Sequence, residues 1–279
     1  MEKLNVAVIG YGRSGCDIHS AFFKSENNDI VNVVYCSSDL FAEVCAVAMV
    51  SLFENNRHLK EINVYVVDDH IQQRNRDRIL QMAEKYGRNV RFIPLPEPSE
   101  FYHDERFTIK TLGHTYARMI LGDILPEEVE RVISLDSDTM VLDKVDGLWN
   151  TDLQGHPIAG VDDCMGEVAL VKTQHLKPDS IHCNAGMYLI DLSVWRRENW
   201  TEQFHQYIKG LFDRHIALGG YEEEVITKVV GERMLVLPPK YNLMTLEQVF
   251  TYPELLRFRQ PLRYYTEAQI AEAKNQPVI

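Results

Sequence analysis

The run Val132, Ile133, Ser134, Leu135 ends on two acids with one residue between them, Asp136 and Asp138. The run is β-branched and apolar enough to predict a short buried strand. Residues i and i+2 of an extended chain point the same way, so the two carboxylates project together from the strand end. There they repel each other unless something positive lies between them. A hard divalent ion, held by oxygen ligands and shared with substrate phosphates, fills such a place naturally. A bare Asp-x-Asp is equally what a solvated turn looks like, so the neighbourhood has to decide. Thr139 to Leu142 predicts a second short extended run.

A chain of 279 residues with 45% hydrophobic content can build a large core, in one domain or two. No uninterrupted apolar run is long enough to span a bilayer, and no signal-peptide pattern opens the chain. The expectation is a soluble, cytoplasmic protein. A formal charge of −12 argues against general affinity for nucleic acid. Five cysteines, Cys16, Cys36, Cys45, Cys164 and Cys183, are scattered and in no metal-ligand spacing, which fits reduced thiols.

Leu4 to Ile9 reads as a strand that runs into Gly10-Tyr11-Gly12-Arg13-Ser14-Gly15, with a helix pattern from Asp17. Glycines there let the backbone approach a pyrophosphate, and a helix start offers it free N–H groups. Asp39, at the end of the next strand, is a possible ribose ligand by position. Residues 4 to 24 resemble the N-terminus of the Gfo/Idh/MocA oxidoreductases, which implies a nicotinamide nucleotide and sets a competing reading for this segment.

From Val31 onward the residues point elsewhere. Val33 to Ala42, then Asp136 and Asp138 with Leu148, Trp149, Asp152 and Leu153 after them, then Cys183-Asn184-Ala185-Gly186 with Trp195, resemble the family 8 glycosyltransferases in order and spacing. The resemblance implies an α/β fold, a GT-A-type Rossmann-like mixed sheet flanked by helices, here with an extra N-terminal β-α unit over residues 1–30 and a catalytic domain over 31–279. It implies Mn²⁺ or Mg²⁺ at Asp136 and Asp138, base or ribose contact at Asp39, and a Tyr-x-Arg helix, Tyr116 and Arg118, beside the sugar nucleotide. Asn184 and Ala185 would meet the donor sugar, whose approach the small residues Ala185 and Gly186 permit.

Glu222-Glu223-Glu224 aligns with the family's Asp-Gln-Asp below the anomeric carbon. Here the central glutamine is Glu223 and the flanking aspartates are one methylene longer. Either the geometry has drifted and activity is lost, or Glu223 offers a carboxylate opposite the leaving group; three glutamates also suit a solvated helix start. Arg118 would hold a sugar hydroxyl or a catalytic carboxylate. The family's Pro-x-Ile-Ile-His strand, source of a third metal ligand, would begin near Pro277, and no substitute is visible. His175, His182, His205 and His215 read as ordinary surface or helix residues.

The leading expectation is therefore a retaining hexosyltransferase that uses a UDP-sugar and a hydroxyl acceptor, a bacterial cell-surface glycan. Its alternatives are an NAD(P)-dependent oxidoreductase built on Gly10 to Gly15, and a sugar-nucleotide-binding protein without turnover. Peripheral membrane contact stays open, although no basic, aromatic tail is present.

Overall fold

The computed structural model describes residues 30–163, 181–218, 221–258 and 265–279. The glycine-rich segment 10–15 and the extra N-terminal unit lie outside the described residues, as do His175, Cys16 and Cys164. Among the described residues the strands are β1 (Ile30–Ser38), β2 (Glu61–Asp69), β3 (Asn89–Pro94), β4 (Arg131–Leu135), β5 (Ile158–Asp162), β6 (Cys183–Asp191) and β7 (Met234–Val236). They form one mixed sheet in the order β3-β2-β1-β4-β6-β5-β7. The principal helices are α1 (Ala42–Asn55), α2 (Gln73–Lys85), α3 (Leu192–Glu198), α4 (Trp200–Asp213), α5 (Tyr221–Val230) and α6 (Glu267–Asn275).

The central strands carry the continuous apolar sequence expected of a sheet covered on both faces. Val31, Val33 and Tyr35 of β1 join one core with α1, α2 and α6, while Val34 joins a second core with α3, α4 and α5. The period-2 alternation of a strand thus feeds two layers at once. In α1 the buried Cys45, Ala48, Met49 and Leu52 recur at three and four residues, one stripe facing the sheet.

Strands β1, β2 and β3 are parallel and step outward in one direction, after which the chain returns to the other side of β1 as β4, again parallel. The direction of winding reverses between β1 and β4. In open α/β sheets a crevice forms at that point, outside the carboxyl ends of the strands. Beyond it β6 lies antiparallel between β4 and β5.

Two expectations are corrected. The segment around Tyr116 is a 3₁₀ helix, His114–Ile120, and not the start of an α-helix. Every side chain from Tyr116 to Ile120 is buried while His114 stays exposed at its start, so packing of the last five residues overrides helical preference. Residues 139–142 do not add a strand to the sheet. Instead the Val141 N–H donates to Ser51 Oγ at 2.9 Å, Asn55 Nδ2 donates to the Val141 carbonyl at 2.9 Å, and the Leu142 N–H donates to the Val278 carbonyl at 2.8 Å.

The stretch from Gly122 to Val129, which leads into β4, is fixed by one side chain of α3. Arg196 donates to the carbonyls of Gly122 at 2.8 Å, Val129 at 2.9 Å, Pro126 and Glu127 at 3.0 Å, and Leu125 at 3.2 Å. A Cβ on Gly122 would collide with the Trp195 ring.

Candidate active site

The crevice at the ends of β1, β2 and β4 is lined by Ser37, Ser38, Asp69, Thr115, Arg118 and Asp136 among others. A second cleft opens on the other side of Asp136 and Asp138 and reaches Asn184, Asn242 and Met244. The two acids therefore stand on the partition between two cavities. The Asp136 N–H donates to the Gly186 carbonyl at 2.9 Å, which prolongs the β4–β6 pairing and holds the first acid at the strand end.

Arg118 is 3% exposed and reaches two acids at once, Glu222 through Nη1 and Asp136 through Nη2. Thr115 donates its hydroxyl to the other oxygen of Glu222. Burial opposes the guanidinium's charge most strongly, but the surrounding groups, Glu222 foremost with Cys36 and Tyr188, together hold the arginine above its ordinary pKa. Two carboxylates that would otherwise repel are thus joined by a planar fork suited to the task.

Glu223 faces a different environment. Its Oε1 accepts the Ala185 N–H at 2.8 Å. Burial, with Asp163 and Glu222 adding to it, pushes its carboxyl up to about 7 against the opposing pull of that N–H and of Arg118. Glu222 and Glu224 are each 5% exposed, which overturns the reading of a solvated helix start. The first turn of α5 instead points into the protein, and Arg118 and Thr115 satisfy Glu222 there.

Asn184 is fully engaged. Its Oδ1 accepts from the Gly186 N–H at 2.9 Å and from Asn242 Nδ2 at 3.0 Å, and its Nδ2 donates to Asp163 Oδ2 at 3.1 Å. The space over Gly186 is taken by these two amides: a Cβ there would lie 2.8 Å from Asn184 Oδ1. His182 is not a surface residue. It is buried just before β6, its Nδ1 is 2.7 Å from Thr227 Oγ1, and it clusters with Asp163 and Glu223. His205 stacks against Tyr102 on α4, and His215 is exposed beyond that helix.

Two expected site residues do not line the crevice. Asp39 Oδ1 accepts from the Gln72 N–H and from Asn75 Nδ2, both at 2.8 Å, and so ties β1 to the start of α2. Tyr116 is fully buried and donates its hydroxyl to the Pro96 carbonyl, anchoring the proline loop. Conversely Thr115, Asp163, His182 and Asn242 enter the site without having been singled out for it. Asn242 does follow Tyr241 shortly after β7, a polar pair that sequence alone can single out.

The donor set at Asp136 and Asp138 fits a hard divalent ion. Asp138 is exposed and makes no hydrogen bond or ion pair among the described residues, and Asp136 has a single oxygen committed to Arg118. No third Asp, Glu, His or Cys among the described residues completes a protein triad with them. Two carboxylates with the other positions open is the pattern of an ion completed by water and phosphate oxygens.

Residues 32–276 match the family model for glycosyl transferase family 8. General stress protein A of Bacillus subtilis (strain 168) is 24% identical over 253 residues, covering 90% of this chain and 85% of that protein. Among solved structures, the galactosyltransferase LgtC in complex with donor and acceptor sugar analogs superposes with a TM-score of 0.70 at 22% identity, over 89% of this chain and 85% of that one. An active-site Gln-to-Glu mutant of LgtC gives 0.69 at 23% identity over the same shares. These likenesses establish the GT-A fold of the mixed sheet. With the family model spanning nearly the whole length, the chain belongs to glycosyl transferase family 8.

Proposed function

We propose that this glycosyltransferase moves a hexose from a UDP-sugar to a hydroxyl of a glycan acceptor, a bacterial cell-surface glycan, with retention at the anomeric carbon. The observation that carries the reading is the placement of Arg118: it joins Asp136, beside the open carboxylate of Asp138, to Glu222, next to Glu223. A diphosphate end and a sugar end thus meet across one side chain. Residues 31–279 form the catalytic domain in this reading, and a cytoplasmic location, with the UDP-sugar pool, goes with it.

Asp136 and Asp138 would hold Mn²⁺ or Mg²⁺, which supplies charge neutralisation at the diphosphate as the UDP oxygen departs. Arg118 keeps Asp136 and Glu222 oriented. Asn184 and Ala185 border the space assigned to the donor sugar. Glu223 is the candidate nucleophile: its oxygen would bond to the anomeric carbon as the bond to UDP breaks, and the acceptor hydroxyl would then displace it, passing its proton to the departed UDP oxygen. The other route to retention is same-face attack, with the UDP oxygen taking that proton and no bond to Glu223. Glu223→Gln separates them, since unchanged turnover rules out the nucleophile.

Calorimetric titration with UDP, with and without Mn²⁺, tests the reading itself. Metal-dependent UDP binding that disappears in Asp136→Ala is the expected result. Binding of NADH in place of UDP would overturn it in favour of the glycine-rich segment.

A further inference from the structure

Asp163, His182 and Glu223 come from three separate places: just after β5, just before β6, and the first turn of α5. One ligand atom from each lies within 4.8 Å of the others. Each side chain is also oriented by a hydrogen bond. Asn184 Nδ2 donates to Asp163, the Ala185 N–H donates to Glu223, and Thr227 Oγ1 sits 2.7 Å from His182 Nδ1, which fixes the ring's orientation. Ligands held by outer partners in this way are the usual construction of a metal site.

We propose that Asp163, His182 and Glu223 bind a divalent transition ion of the zinc class, at a site separate from Asp136 and Asp138. One imidazole with two carboxylates suits such an ion better than the all-oxygen ligation preferred by Mg²⁺. Tetrahedral ligands about 2.1 Å from the ion lie about 3.4 Å from one another, so the trio needs to close by little more than about 1 Å. The site itself does not depend on glycosyl transfer. Its consequence does: an ion on Glu223 withdraws the carboxylate assigned to the donor sugar, so zinc would inhibit turnover.

The test uses the full chain, stripped with chelator and titrated with Co²⁺, followed by visible absorption and calorimetry. In the Asp136→Ala/Asp138→Ala double variant, one Co²⁺ per chain is expected to remain, with the absorption of an imidazole-bound ion, displaced by equimolar Zn²⁺. Adding His182→Gln or Glu223→Gln should weaken it about tenfold or more. If His182→Gln fails to fold, judged by circular dichroism, Glu223→Gln alone decides. No Co²⁺ bound by the double variant, or undiminished binding when Glu223→Gln is added, overturns the site. Manganese-dependent UDP binding, measured separately on the wild type, reports on the transferase reading and is unaffected by either outcome.

Discussion

Glu223 holds a proton in the native state that the unfolded chain gives up near the ordinary glutamate value of 4.5, because burial raises its folded pKa to about 7. Between these two values the folded protein binds more protons than the unfolded one, so stability falls as pH rises through that window. Glu223→Gln removes the titration. In the presence of chelator, its denaturant midpoint should exceed that of the wild type increasingly from about pH 5 to about pH 8, reaching on the order of 3 kcal/mol. Turnover by an ionised Glu223 should conversely rise with an apparent pKa near 7, and a flat pH–rate profile across neutrality would exclude that role. Arg118 gives the opposite case. Removing a buried partner leaves its acid uncompensated, so Arg118→Ala should cost about 3–5 kcal/mol in urea unfolding, through Glu222 more than through the half-exposed Asp136.

The strands β1 and β4 were legible as stretches of sequence. What fixes them against one another was not, because it depends on residues distant along the chain. Nothing local marks Arg196 as the donor to five carbonyls between Gly122 and Val129. Arg196→Ala would leave those carbonyls short of partners and loosen the approach to β4, with an expected loss of about 2–4 kcal/mol. Arg196→Lys should recover only part of it, since an ammonium cannot span the set. Gly122→Ala drives a methyl into the Trp195 ring and should cost about 1–3 kcal/mol. Thermal melting of the three variants, scored against wild type, checks the order. The 3₁₀ turn at His114–Ile120 escaped for a similar reason: five consecutive buried side chains, Tyr116 to Ile120, set its geometry, which no periodicity announces.

At the scale of the molecule, the resemblance of three ordered motifs foretold the mixed sheet, and the winding reversal beside β1 explains why Asp136 and Asp138 meet a crevice. The cluster of Asp163, His182 and Glu223 stayed hidden because no spacing connects residues that only the β5–β6 pairing and α5 bring together. Ligand binding should register across the whole fold. UDP with Mn²⁺ at about a hundred times its dissociation constant should stabilise the protein by about 2.7 kcal/mol, a shift that Asp136→Ala abolishes in differential scanning fluorimetry. Arg118 makes that response more than local. Its one positive charge is divided between Asp136 and Glu222, so an ion that satisfies Asp136 leaves more of the charge to Glu222 and, beside it, alters the proton affinity of Glu223. Linkage runs both ways with equal free energy. In the proposed reaction the two ends of the site would therefore be communicating vessels: how tightly the protein grips a diphosphate and how readily it ionises the carboxylate near the sugar would form a single coupled equilibrium, set by how one guanidinium is shared.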